Sequence, residues 1–222
     1  MSTAAGSVRT GPGVATADAR PAHPAPRIGV LALQGAFAEH AAALHAVGGV
    51  PVEVRLPRHL DGVDALILPG GESTTMSLLL TTSGLFEAVA ERLDGGLPVF
   101  GTCAGLILLA GEVGDGRPDQ RSFAVLDVAV LRNGYGRQRM SFETPLVVAG
   151  LRGRADGPGR AEPFPAVFIR APRVTRTGAG VEVLASVGPD PVLIRQGPVL
   201  AAAFHPELSG DLRLHHLFLE GI

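Results

Sequence analysis

The chain has 222 residues, enough for one domain with a sizeable core, and 46% hydrophobic against 18% charged residues is a globular rather than a disordered composition. A net charge of -2 gives no electrostatic reason to expect nucleic acid or an anionic membrane as partner, and no apolar stretch reaches membrane-spanning length uninterrupted. A single cysteine excludes an internal disulfide, so nothing argues for an oxidising compartment and a cytoplasmic location is expected.

Residues 1–26 begin "MSTAAGSVRTGPGVATADARPAHP", small and polar with no apolar segment of a secretory signal. They read as a flexible extension, and residues 27–222 as a single domain. "IGVLALQG" is a short apolar run ending in glycine, as expected of a strand buried on both faces. The alanine-rich "AFAEHAAALHAVG" predicts a helix with a glycine stop, and "PVEVRL" a second strand. "VDALILPGG" predicts another buried strand ending in a glycine pair. A helical stretch follows, "ESTTMSLLLTTSGLFEAVAERLDGG", with a break near Ser83-Gly84. "LPVFGTCAG" is again strand-like, and "LILLAGEV" reads as its continuing helix.

Beyond Gly111 the runs "FAVLDVAVLRN", "SFETPLVV", "AVFIRAP", "VEVLASV", "PVLIRQG" and "VLAAAFHPE" read as strands. "GLRGRADGPGRAEPFP" reads as a surface loop, and "DLRLHHLFLEGI" as a final helix packed on the core. Strands and helices that alternate indicate a parallel sheet. The expected fold is therefore α/β: a three-layer, mostly parallel open sheet flanked by helices, with an antiparallel extension. In such sheets ligands bind beyond the carboxyl ends of the strands, where Gln34, Gly70, Gly71 and Cys103 all fall.

"GTCAG" has the G-x-C-x-G form of a nucleophile elbow, a sharp strand-to-helix turn that exposes its central side chain. Glycines 101 and 105 would relieve crowding there. Cys103 then has two readings, a nucleophile or a small buried hydrophobe. A thiol nucleophile needs a base, and the base an orienting group. "FHPEL" offers His205 and, two residues on, Glu207, which point to one side if the segment is extended. A core or capping histidine is the alternative. His23, His40, His45, His59, His215 and His216 are assigned to surface or helix-face positions. The turn "LPGGEST" and the residue after the cysteine would supply oxyanion-hole N–H groups, those of Gly71 and Ala104. An ordinary tight turn before a helix starting at Ser73 or Thr74 fits that stretch equally well. A P-loop does not, because the lysine is missing.

"GVLALQGAFAEH", "LPGGESTTM", "FGTCAGLILLA", "RNGYGRQRMSFE", "VFIRAP" and "FHPEL", in this order, resemble the glutaminase subunits of bacterial pyridoxal 5'-phosphate synthases, which are triad (class I) glutamine amidotransferases. "GTCAG" and "HPE" mark only the superfamily, whereas "LQGAFAEH", "PGGESTTM" and "RNGYGRQ" are more specific. The resemblance implies hydrolysis of L-glutamine to glutamate and ammonia through a thioester on Cys103. His205 would act as base and then acid, with Glu207 holding it. Glutamine would be bound by Gly71, Glu72, Ser73, Arg132, Ile169 and Arg170. An amino acid suits a site with a guanidinium, an acid and N–H donors.

The resemblance further implies delivery of ammonia to a (β/α)8-barrel synthase subunit for vitamin B6 biosynthesis, and weak activity until the two dock. Gln34 would lie near that contact and the oxyanion hole, or would simply end its strand. Within "RNGYGRQ", Arg132, Gly136, Arg137 and Gln138 keep the motif; the 1–26 extension and the long 151–165 connection depart from the usual pattern. No metal and no cofactor is expected. Three other readings stay open: a glutaminase serving another acceptor such as imidazole glycerol phosphate synthase, a cysteine peptidase or chaperone, and a binding subunit with a structural cysteine.

Overall fold

A computed structural model describes residues 24–134, 141–151, 153 and 162–222. Most of the 1–26 extension, Gly136, Arg137 and Gln138, and much of the 151–165 connection lie outside the described residues. The first half alternates as its apolar runs require: β1 (Arg27–Leu31), α1 (Phe37–Ala46), β2 (Val50–Val54), β3 (Ala65–Leu68), α2 (Ser73–Thr82), α3 (Leu85–Asp94), β4 (Val99–Thr102) and α4 (Ala104–Leu109). The break between α2 and α3 falls where the sequence put it, with Gly84 in a left-handed conformation at φ 72. The second half holds β5 (Ala110–Val113), β6 (Leu126–Leu131), β7 (Ser141–Leu146), β8 (Phe164–Ile169), β9 (Arg173–Thr177), β10 (Glu182–Val187), β11 (Asp190–Gln196), β12 (Val199–Ala202) and α5 (Arg213–Leu219).

Seven strands form the central sheet in the order β10-β11-β12-β4-β3-β1-β2. The pairs from β12 to β2 are parallel, and β10, β11 and β12 pair antiparallel, so the sheet is mostly parallel with an antiparallel extension. Every residue of β3, β4 and β12 is buried, which is why these strands read as apolar runs, broken only at the end of β4 by Gly101 and the buried hydroxyl of Thr102.

Two expectations change in detail. The helix after the cysteine stops at Leu109, and Ala110–Val113 pairs as a strand with β6. Ala110 is already extended, at ψ 143, and the ladder available from β6 overrides the helical preference of the preceding residues. Nor do all later strands extend the main sheet: β5, β6 and β9 form a second sheet, and β7 and β8 a two-stranded ribbon. Ring contacts join that ribbon to the end of β12, with Phe168 stacked on Phe142 at 4.5 Å and 5.4 Å from Phe204.

The strand order brings four loops to one edge. Ala202 lies opposite Thr102 and Leu68 opposite Gly101, so the residues after β12, β4 and β3 emerge side by side, with those after β1 next in line. Close packing of α4 on β3 completes the turn: a Cβ on Gly105 would lie 2.0 Å from the carbonyl oxygen of Leu68. That neighbour is backbone and cannot swing aside. Gly105→Ala is therefore expected to destabilise the fold by about 3 kcal/mol, read as a lowered thermal midpoint.

Candidate active site

Cys103 connects β4 to α4 with φ 48 and ψ -100, the strained turn that the elbow motif predicts. Only two other non-glycine residues among those described have positive φ, and one of them, Arg170, lines the same cleft. Backbone strain of this kind costs about 1–3 kcal/mol and gathers where function requires it. The Cys103 N–H donates to the Ala202 carbonyl at 2.8 Å, which pins the turn to β12. Its sulfur is buried, 3.9 Å from the carbonyl oxygen of Ile169.

His205 follows β12 and shares the cleft with Cys103. Its N–H donates to Val167 of β8 at 2.8 Å, and its Nδ1 is 2.7 Å from Oε1 of Glu207. The segment is not extended as the sequence suggested. Pro206–Leu208 form a turn of 3-10 helix, and it is this turn that folds Glu207 back under the ring. Glu207 has a fully buried side chain. Burial opposes a charge on the imidazole, but the neighbouring Cys103 and Glu207 outweigh it and raise the pKa of His205 to about 10. The ring therefore carries its proton at neutral pH.

The glycine pair makes room for this ring. A Cβ on Gly70 would stand 2.3 Å from Cε1 of His205, and one on Gly71 2.7 Å from Nε2 of Gln34. Gln34 does more than end its strand, since its Oε1 accepts the N–H of Glu72 at 3.1 Å and ties the β1 loop to the glycine turn. Ala104, next to the cysteine, is fully buried at the start of α4.

Glu72 is the N-cap of α2, accepting the N–H groups of Thr74 at 3.1 Å and Thr75 at 2.7 Å. It also accepts Nη2 of Arg132 at 2.9 Å. Partial burial works to raise its pKa, yet the hydrogen bonds from Thr75 and Thr74 prevail and lower it to about 2. Its carboxylate thus holds Arg132 as well as the helix. Nε of Arg132 is buried and has no hydrogen-bond partner among the described residues. Ser73 is buried, its Oγ accepting from Gln120 at 3.2 Å.

Cys103, His205, Gly71, Glu72, Ser73, Arg132, Ile169, Arg170 and Gln34 all line one cleft of about 340 Å³, a size suited to a small molecule. Glu207 stands behind His205. His40 and His215, assigned to surface or helix faces, are instead fully buried behind this wall. The helical period held the clue: on α1 the buried residues are His40, Ala43 and Leu44, and on α5 His215 is buried with Leu214 and Phe218.

Residues 30–222 match the SNO glutamine amidotransferase family. The chain is 56% identical over 196 residues to the pyridoxal 5'-phosphate synthase subunit PdxT of Parafrankia sp. (strain EAN1pec), covering 88% of this chain and 93% of that protein. The PdxT subunit of Thermotoga neapolitana is 51% identical over 194 residues, covering 87% and 98%. A crystal structure of a glutamine amidotransferase superposes with a TM-score of 0.79 at 52% identity, covering 87% of this chain and 97% of that one. PurLQS from Thermotoga maritima, at 19% identity, 88% and 98% coverage and a TM-score of 0.62, shares the fold. On a family match that spans most of its length, the chain belongs to the SNO glutamine amidotransferase family.

Proposed function

We propose that the chain is the glutaminase subunit of a pyridoxal 5'-phosphate synthase, hydrolysing L-glutamine to L-glutamate and ammonia and passing the ammonia to a barrel-type synthase subunit for vitamin B6 biosynthesis. In this reading the catalytic domain is residues 27–222, with residues 1–26 appended, and the protein works in the cytoplasm. The observation that carries it is the single cleft shared by Cys103 and His205, with Glu207 hydrogen-bonded behind the ring. Relatives at 51% and 56% identity bear the PdxT name, whereas PurLQS at 19% shares only the fold, which favours this acceptor over others.

The mechanism follows from the charges. With His205 holding a proton at neutral pH, the sulfur of Cys103 attacks the side-chain amide carbon as a thiolate beside an imidazolium. The N–H groups of Gly71 and Ala104 receive the oxyanion of the tetrahedral intermediate. His205 gives its proton to the amide nitrogen, the C–N bond breaks and ammonia leaves a thioester. Water then adds to that thioester while His205 takes its proton, and the C–S bond breaks to release glutamate and restore the thiolate beside the protonated ring. The guanidinium of Arg132 lines the cleft and suits the α-carboxylate of glutamine, and Glu72 orients it. Gly71, Ser73, Ile169 and Arg170 complete the glutamine site. Gln34, fastened to the glycine turn, would carry the state of a docked synthase to the oxyanion hole.

An electrophilic glutamine analogue tests this reading. Incubated with the chain alone and together with the barrel subunit, it is expected to add its mass at Cys103, faster in the complex, and to be blocked by excess L-glutamine. Labelling elsewhere, or labelling that glutamine leaves unaffected, would sink the proposal.

A further inference from the structure

Behind the cleft lies a buried polar chain that the steps above leave unused. Nε2 of His40 stands 3.3 Å from Oε2 of Glu207 and 3.1 Å from Oγ1 of Thr102, the residue before the nucleophile. Nδ1 of His40 is 3.0 Å from Nε2 of His215. His40, Thr102 and His215 are fully buried, and Phe100 meets the rings of both histidines edge-on. Among the described residues no group of three such side chains is arranged to hold a metal ion.

Where the protons sit can be worked out. Burial, with the charges of His215 and His205, lowers the pKa of His40 well below the ordinary imidazole value, and burial lowers His215 to about 4. Both rings are therefore neutral, each with one N–H. If that hydrogen were on Nδ1 of His40, a lone pair would face the Glu207 carboxylate. Nε2 of His215 would have to accept, and the buried, unpartnered Nδ1 of His215 would be a donor left without an acceptor. With the hydrogen on Nε2 of His40, His215 donates from Nε2, and its orphan Nδ1 is only an idle lone pair. A stranded buried donor is the costlier fault. The N–H of His40 is thus directed at Oγ1 of Thr102, with Oε2 of Glu207 beside it at 3.3 Å, a buried carboxylate oxygen that makes no hydrogen bond among the described residues and has this N–H within ion-pair distance.

We infer that His40 is a positioning residue for the reaction, its Nε2–H holding Glu207 in the orientation in which the opposite carboxylate oxygen grips His205. Glu207 is thereby flanked on both sides, by the ring it hydrogen-bonds and by a ring that never reaches substrate. The inference rests on the hydrolysis proposed for Cys103, and the test separates the two.

The full chain is assayed with the barrel subunit for kcat, KM and thermal midpoint in His40→Gln, His40→Asn and Cys103→Ala. The glutamine amide nitrogen occupies about the place of Nε2 and still reaches Glu207; the asparagine amide nitrogen occupies about the place of Nδ1 and faces His215 instead. His40→Asn is expected to lose about ten- to a hundredfold in kcat, the range for second-layer partners, with KM within about twofold of wild type. His40→Gln should stay within about threefold of wild type. Equal kcat in the two variants, or wild-type kcat in His40→Asn, overturns the inference. If His40→Asn fails to fold, a natively folded His40→Gln decides by itself: near-wild-type kcat supports the role and a tenfold loss overturns it. If neither folds, the ring serves the core and the inference also fails. Turnover surviving in Cys103→Ala would instead remove the hydrolase reading itself.

Discussion

Cys103→Ala is expected to lower glutamine hydrolysis by at least about 10⁴-fold while leaving the fold intact, because the nucleophile has no substitute in the cleft. The stability side of this prediction comes from the turn. Alanine removes one sulfur atom and keeps the Cβ already accommodated at φ 48, and the 2.8 Å hydrogen bond to Ala202 uses backbone alone. The change in stability should therefore stay within about 1 kcal/mol. Ammonia release and a thermal melt measured on one preparation check both halves. Retained turnover would mean that another group attacks the amide.

His205→Asn is expected to cost about 10⁴-fold or more in kcat with glutamine still bound. The asparagine amide nitrogen can replace Nδ1 as donor to Glu207, now 2.7 Å from the ring, so the surrounding geometry is kept. What disappears, in the proposed mechanism, is the group that receives the thiol proton and returns it to the leaving nitrogen. Binding measured by calorimetry alongside single-turnover hydrolysis separates the two effects. In the wild-type enzyme the same group sets an alkaline limb: with its pKa raised to about 10, the imidazolium is present through neutral pH and lost as the pH rises through that value. The rate should fall there because the leaving nitrogen no longer has an acid. Wild-type turnover in His205→Asn would point to a different base.

The cleft also shows contacts of Glu72 and Gln34 that the sequence does not display. Glu72 was assigned to glutamine binding, and its carboxylate is engaged by the start of α2 and by Arg132. In the proposed glutamine site its contribution would therefore be through Arg132, which it holds at the cleft wall. Gln34 is similar. A strand-end glutamine is unremarkable in sequence, and its bond to the Glu72 N–H links it to the glycine turn.

Much of this protein was legible in one dimension because it is locally encoded. A strand buried on both faces is nearly all apolar, any polar side chain needing a buried partner as Thr102 has in His40, so β3, β4 and β12 declared themselves. A backbone that turns sharply and packs tightly needs glycine, so "GTCAG" announced the elbow, and the close approach of Gly105 to Leu68 is its cause. Pairing across distant stretches has no such local mark. Ala110–Val113 became a strand only because β6 offered it a ladder, and His205 and Glu207 met through a 3-10 turn where an extended segment was expected. His40 and His215 lie 175 residues apart, and in an alanine-rich helix a histidine looks like a solvated polar residue until another helix covers it. The helical period could place each histidine on the buried face of its own helix, but their meeting beneath the candidate triad was decided by the sheet order, which set α1 and α5 against the same wall.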